Sequence, residues 1–166
     1  MKKYGLVLLL ISGSAFSFDF KGIELGSTSS YTEIANTLSI KCHESKNGKV
    51  WCGGATTIVG NPAKAHINLS NEKTVEAISI KFSPSSFESI ANGLISKYGE
   101  PKTENSIISN AMGASFNQTV MIWKDDKNYM KLEKYSNKVT EGNLWMITNN
   151  RVNELTIEAE KNKSDL

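Results

Sequence analysis

The chain has 166 residues, of which 19 are basic, 17 acidic and 39% hydrophobic, and this composition is typical of one globular domain. Two of the basic residues, Lys2 and Lys3, lie in a predicted leader that contains no acid, so removal of the leader brings the formal charge from +2 to zero. A neutral domain without a long run of lysine or arginine does not support binding to nucleic acid or to an anionic membrane.

Residues 1–17 have the pattern of a bacterial secretory signal peptide. Residues 1–3 are basic at two positions, residues 4–11 are almost wholly apolar, and residues 15–17 place small side chains at −3 and −1 of a cleavage site. The apolar run is too short for a permanent membrane span, and a cysteine for lipid attachment is missing at the cut. We expect residues 18–166 to form a single periplasmic or secreted domain without an integral membrane segment.

Cys42 and Cys52 form an even pair, which in an exported protein favours a disulfide. Asn47 and Gly48 indicate a hairpin with a three-residue loop, and this register places the two cysteines directly opposite each other. The alternative is a redox-active pair, which the wide spacing disfavours because it lacks the compact C-x-x-C geometry.

An internal repeat relates residues 29–41 to residues 85–97, with seven identities in thirteen positions. Both copies predict an amphipathic helix because apolar residues recur at positions i, i+3, i+4 and i+7. Each copy has a possible capping box, with a serine (Ser30, Ser85) three residues before a glutamate, and Gly99 ends the second helix.

Strands are predicted after each helix. They comprise residues 40–42, 50–58, 64–70 and 75–82 after the first helix, and 119–124, 129–135 and 144–148 after the second.

Loops are predicted at 102–118 and 136–142, and a helix is favoured over a strand in the tail, 150–166. Polar turns at 71–74 and 125–128 are offset by 54 residues, which we interpret as equivalent positions.

The fold predicted from these elements is α+β, with helices packed on one face of an antiparallel sheet. It is a tandem duplication with pseudo-repeats at about 27–82 and 83–148.

Several short motifs carry a resemblance to known proteins: 20–26 (FKGIELG) before the first helix, the two cysteines, 56–63 (TTIVGNPA) and 97–101 (KYGEP). In order and spacing the chain resembles small, uncharacterised periplasmic proteins whose layout is similar to the β-lactamase-inhibitor-protein fold and to small outer-membrane assembly lipoproteins. The resemblance implies short helices on one face of an antiparallel sheet. The lipid-bearing cysteine of the assembly lipoproteins is absent, which argues against their role.

The sequence offers no recognisable catalytic, metal or cofactor constellation. His43 is predicted to pair with Trp51, and His66 alternates with apolar residues on the polar face of its strand, so both are interpreted as surface residues. Zinc-binding H-x-x-x-H and H-E-x-x-H spacings and the serine-hydrolase elbow G-x-S-x-G are missing. Gly53 and Gly54 favour a bulge or a close chain approach over a phosphate cradle.

The predicted hairpins differ on the face away from the core. The first presents the polar residues His66, Asn68, Ser79 and Lys81. On the second, a turn at 125–128 pairs Trp123 with Met130 and Met121 with Leu132 on the core side. The opposite face then carries Val120, Ile122, Tyr129 and Tyr135, with Trp145 nearby.

Such a face needs cover or a partner. The C-terminal segment or a loop is one possible cover. The other interpretation is a protein-binding surface, because aromatic residues anchor such interfaces. We therefore expect a non-enzymatic domain that binds another envelope or secreted protein. An inhibitor of a hydrolase is a special case of this expectation and rests on fold analogy alone. The alternatives are a protein that binds a small molecule or an envelope glycan, and a hydrolase with an unrecognised site.

Overall fold

The structure, a computed structural model, describes residues 17–46 and 48–163, with the backbone alone at 162 and 163. Most of the predicted signal peptide, residues 1–16, and Asn47 of the predicted turn lie outside the described residues.

Ten strands and three α-helices follow one another within the described residues. They are β1 (Asp19–Phe20), β2 (Ile23–Glu24), α1 (Tyr31–Leu38), β3 (Lys41–Glu44), β4 (Val50–Ile58), β5 (Asn61–Leu69), β6 (Val75–Phe82), α2 (Phe87–Tyr98), β7 (Lys102–Ser109), β8 (Ser115–Lys124), β9 (Asn128–Glu133), β10 (Gly142–Thr148) and α3 (Asn149–Lys163).

Eight of these strands form one antiparallel sheet in the order β3-β4-β5-β6-β10-β9-β8-β7. Consecutive strands pair within each group of four, and the two groups join where β6 pairs with β10. The short strands β1 and β2 form a separate hairpin. The predicted α+β class with a large antiparallel sheet is therefore confirmed.

The disulfide between Cys42 and Cys52 is present, and it joins β3 to β4 at directly opposed positions. The Cα atoms of the two cysteines are 3.9 Å apart. Gly48 has a φ of +78°, and the N–H of Ser45 donates to the carbonyl of Lys49 at 2.9 Å. These contacts confirm the hairpin register predicted from the sequence.

Three features of the helix ends were predicted, namely capping by Ser30, capping by Ser85 and termination at Gly99, and the structure confirms the first and the third. The Ser30 hydroxyl accepts from the N–H of Glu33 at 3.1 Å, and the N–H of Gly99 donates to the Ile95 carbonyl at 2.8 Å. At the start of α2, a 3-10 turn over Pro84–Ser86 places Ser86 at the N-cap, so the capping box predicted for Ser85 is wrong.

The loop predicted over 102–118 is wrong, because β7 and the first half of β8 occupy most of it. Every residue of β7 except Ile108 is exposed, so this strand lacks the alternation that marks a half-buried strand. Its conformation comes from pairing with β8 over all eight residues, from Lys102 opposite Ile122 to Ser109 opposite Ser115.

The two polar turns do not occupy equivalent places. Residues 71–74 lie between β5 and β6, whereas residues 125–127 lie between β8 and β9. The offset of 54 residues therefore relates different connections of the two strand groups. The hairpin of β1 and β2 was also missed, whereas the favoured helix in the tail is confirmed as α3.

The hydrophobic core joins α1, α2, the β1–β2 hairpin and alternate residues of the sheet. The α1 helix contributes Ile34 and Leu38, and α2 contributes four buried residues between Phe87 and Leu94. None of the α3 side chains that the structure describes, at residues 149–161, belongs to this core. We call the side of the sheet that faces away from this core the outer face.

Candidate functional site

The side chains of the outer face lie in three rows that cross the strands, as the Cα pairing defines them. The middle row contains Lys41, Gly53, His66, Ser79, Trp145, Lys131, Ile122 and Lys102. One flanking row contains His43, Trp51, Asn68, Ala77, Ile147, Tyr129 and Lys124. The other contains Ala55, Lys64, Lys81, Asn143, Glu133, Val120 and Glu104.

Four of the five residues predicted for a binding face occupy these rows on neighbouring strands. Trp145 lies opposite Lys131, which lies opposite Ile122. Tyr129 and Val120 stand in the two flanking rows, and all four side chains are partly exposed. The structure therefore brings them together as one surface.

The fifth residue, Tyr135, lies just beyond the end of β9 and is held there by Gln118 of β8. The N–H of Tyr135 donates to Oε1 of Gln118 at 2.9 Å, and Nε2 of Gln118 donates to the Tyr135 carbonyl at 2.6 Å. The ring of Phe116 meets the Tyr135 ring edge-on at 5.6 Å. This aromatic pair adds Phe116, which the sequence analysis had not singled out.

On the half of the face formed by β7–β10, Lys131 lies beside Trp145. Nζ of Lys131 is 6.0 Å from the centroid of the Trp145 ring, and it also forms an ion pair with Glu133 at 3.0 Å. Lysine stems cover apolar surface while the ammonium group stays hydrated, so this side chain covers part of the indole.

A column of three stacked rings, which was not predicted from the sequence, lies on the half of the face formed by β3–β6. The Trp51 ring lies between His43 at 4.5 Å and His66 at 5.2 Å, with interplanar angles of 28° and 26°. Nε2 of His66 is 3.0 Å from Oδ1 of Asn68. The signal for this column was available, because the predicted register already placed His43 opposite Trp51.

Gly53 makes the column possible. A Cβ atom at Gly53 would lie 3.2 Å from Cζ3 of Trp51 and 3.3 Å from the Ala65 carbonyl oxygen, so the indole rests directly over the glycine. The neighbouring Gly54 serves the core side, where a Cβ would lie 2.9 Å from Cγ2 of Ile40. The interpretation of this glycine pair as a close chain approach is confirmed.

The C-terminal helix meets one end of the sheet. It begins at Asn149, and Nε of Arg151 lies 4.0 Å from Oε2 of Glu76 on β6. Burial raises the pKa of Glu76, and the charge of Glu154 adds to this rise while Arg151 opposes it. At this end of the outer face Ile147 is 1% exposed, whereas the five predicted binding residues remain partly exposed.

A charged network that the sequence analysis missed joins β1 to α2. Asp19 accepts from the ammonium of Lys97, and the Tyr98 hydroxyl is 3.2 Å from Oδ1 of Asp19. Burial alone would raise the pKa of Asp19, but the hydrogen bonds from Lys97 and from the Gly22 N–H outweigh it and lower the pKa. The network fastens the N-terminal strand to the helix and lies away from the outer face.

Asp125 has a local structural role. One of its carboxylate oxygens accepts from the N–H groups of Lys127 and Asn128, both at 2.7 Å, which closes the turn between β8 and β9. In the part of the chain that the structure describes, no group of three or more His, Cys, Asp or Glu residues is arranged to hold a metal ion.

Two cavities lie off the three rows. An open cleft of about 1150 Å³ at one end of the sheet is lined by the β5–β6 turn, the β8–β9 turn and the start of α3. A smaller apolar cavity of about 170 Å³ lies between β1, the β4–β5 turn and α2. The outer face contributes no row residue to either cavity.

No protein-family model, curated protein or solved structure matches this chain. Among residues 17–46 and 48–163, no helix is long and apolar enough to cross a membrane.

Proposed function

We propose that this chain is an exported, non-enzymatic domain that binds another protein through the outer face of its sheet. One observation carries the proposal: Val120, Ile122, Tyr129 and Trp145 lie on three neighbouring strands of the outer face, Tyr135 follows the end of β9, and all five are partly exposed outside the hydrophobic core. Tryptophan and tyrosine dominate the binding energy of protein interfaces because each supplies a large contact area with few rotatable bonds.

The shape of the surface favours a protein over a small molecule. Small-molecule sites are concave, and the two cavities described above lie elsewhere. With strands about 4.8 Å apart, eight strands span about 34 Å, and the three rows with their side chains cover about 20 Å in the other direction. The resulting area of about 700 Å² is close to the roughly 800 Å² per partner of an ordinary protein interface.

We also propose that the domain is a tandem duplication with α1 and α2 on the same face of the sheet. The α1 helix precedes the four strands β3–β6, and α2 precedes the four strands β7–β10. The strand order of the second group mirrors that of the first about the β6–β10 pair. The buried residues of both helices also belong to one core cluster. This arrangement supports the resemblance to the β-lactamase-inhibitor-protein fold.

Export is supported by the disulfide, because such bonds persist in oxidising compartments such as the periplasm. We therefore place the mature protein in the periplasm or outside the cell, after removal of residues 1–17. The domain uses neither a cofactor nor a metal in this proposal.

A pull-down from periplasmic extract tests the proposal with a matched control. The variant Tyr129→Ala/Tyr135→Ala removes two rings of the outer face, whereas Tyr31→Ala removes an exposed ring of α1. We expect the double variant to lose a protein that the wild type and Tyr31→Ala both recover. Equal recovery of every protein by all three would refute the proposed face, provided the variants unfold at similar urea concentrations.

A further inference from the structure

The outer face carries an excess of positive charge in an otherwise balanced chain. Its three rows hold six lysines and two glutamates: Lys41, Lys64, Lys81, Lys102, Lys124, Lys131, Glu104 and Glu133. The chain has 19 basic and 17 acidic residues in total, so the remainder is 13 basic against 15 acidic. The positive charge is therefore concentrated on this face.

The excess is largest on the half of the face formed by β3–β6. Lys41, Lys64 and Lys81 lie there, and the row positions of these four strands contain no acidic residue. On the other half, Lys131 and Lys102 form ion pairs with the glutamates two residues further along their strands. The charge excess of the outer face thus lies mainly on the four strands that also carry the ring column.

Lys64 and Lys81 lie directly opposite each other on β5 and β6. Like charges in this position destabilise a sheet. Lys81 is compensated by Glu141 at 2.8 Å, but within the described residues no carboxylate lies within ion-pair distance of Lys64, Lys41 or Lys124. The charge of Lys64 is therefore available to a binding partner.

The ring column gives this basic half a rigid centre. Trp51 is 38% exposed and is held on both faces by histidine rings, so its side chain loses little freedom when a partner binds. An ordered aromatic anchor on a half of the face whose row positions carry charges of one sign is suited to a partner of the opposite sign.

We propose that the partner of the outer face is a protein with an acidic contact surface, which docks on the β3–β6 half around Trp51. This inference rests on the proposed function and specifies the partner's chemistry. Lys41 and Lys64 attract and orient the acidic surface, and Trp51 supplies the apolar contact. A protein is favoured over an anionic glycan because the three rows have about the area of an ordinary protein interface and neither cavity includes a row residue.

The test begins with a photo-reactive benzoylphenylalanine in the full-length protein, in the cells that produce it. One variant carries the probe at Asn68, beside Trp51 on the outer face, and the control carries it at Glu88, which is exposed on α2. The protein cross-linked from position 68 is identified and purified. Its affinity is then measured for the wild type, for Lys64→Glu, and for the control Lys73→Glu/Lys138→Glu, whose lysines lie off the three rows.

We expect cross-linking from position 68 and not from position 88, to a protein with an acidic contact surface. Binding should weaken at least about tenfold in Lys64→Glu, less than about twofold in the control, and progressively with added salt. Because Lys64→Glu places opposite charges across β5 and β6, it should unfold at no lower temperature than the wild type. Loss of binding therefore cannot be attributed to loss of folding.

Three other results would overturn the inference. Unchanged affinity of the cross-linked protein for Lys64→Glu would refute an acidic partner and leave the proposed protein-binding function in place. An adduct removed by glycosidases and not by proteases would assign the face to a glycan. The absence of any adduct from position 68, while position 88 cross-links, would refute docking around Trp51, and the pull-down with Tyr129→Ala/Tyr135→Ala would still decide the proposed function.

Discussion

The β4–β5 turn is docked onto α2 through an unusual contact between Val59 and Gly93. Val59 has a φ of +48°, a left-handed conformation that β-branched residues rarely adopt, and it begins the two-residue turn that Gly60 completes. The side-chain amide of Asn61 bonds the Val59 carbonyl at 2.9 Å and the Ser89 hydroxyl at 3.2 Å. The turn is therefore held against the helix and cannot easily move away.

A double-mutant cycle tests this docking. In an ordinary helix interior, Gly→Ala stabilises by about 1 kcal/mol. At Gly93 the new Cβ would lie 2.9 Å from Cγ2 of Val59, and overpacking of this kind costs about 1–3 kcal/mol. We therefore expect Gly93→Ala to lower the free energy of unfolding by about 0–2 kcal/mol in the wild type. In a Val59→Gly background the clash is absent. Gly93→Ala should then raise the free energy of unfolding by about 1 kcal/mol.

The expected coupling between the two positions is thus about 1–3 kcal/mol. Urea unfolding of the wild type, both single variants and the double variant, followed by tryptophan fluorescence, measures it directly. Equal m-values across the four proteins would show that the denatured states are comparable. If Gly93→Ala changed the free energy of unfolding equally in both backgrounds, the docking of the turn on α2 would be wrong.

Three further predictions concern the N-terminal network, the disulfide and the ring column. Because the hydrogen bonds from Lys97 and Gly22 lower the folded pKa of Asp19 below its ordinary value of 3.8, its stabilising contribution is present above that pH and is lost as the pH falls through the folded pKa. Asp19→Asn should therefore destabilise most at pH 7 and progressively less as the pH falls below 3.8 in urea unfolding, and an equal loss at every pH would contradict this. Reduction of the Cys42–Cys52 bond, which closes a loop with a sequence separation of 10, should lower the free energy of unfolding by about 2–3 kcal/mol, and no change on adding reductant would contradict this. Gly53→Ala should displace the indole above it, seen as a changed near-ultraviolet circular dichroism spectrum with a similar urea midpoint; an unchanged spectrum would count against the stack.

The sequence predicted the elements whose signals are local. The disulfide hairpin followed from the loop chemistry around Gly48, and the β8–β9 register followed from a polar turn between two alternating strands. That register is confirmed, with Trp123 opposite Met130 and Met121 opposite Leu132. Both main helices follow the spacing of their apolar residues, which is set by contacts within one or two turns.

The parts that escaped prediction depend on distant partners. The β7 strand is polar and exposed, so only its pairing with β8 makes it a strand. The ring column depends on Gly53 and on His66, which reaches Trp51 diagonally from the next strand. The charge asymmetry of the outer face likewise appears only when residues from eight strands are placed side by side, since the chain as a whole is nearly neutral.

Oxidative footprinting of the full-length protein, alone and bound to the partner cross-linked at position 68, tests the outer face most directly. Trp51 and Trp145 report on the two halves of the face, the exposed Tyr31 of α1 is the control, and the buried Trp123 should react little in either state. The account predicts that the partner protects Trp51 and Trp145 from hydroxyl radicals and leaves Tyr31 unchanged. Protection of Tyr31 with both outer-face tryptophans still fully reactive would contradict it.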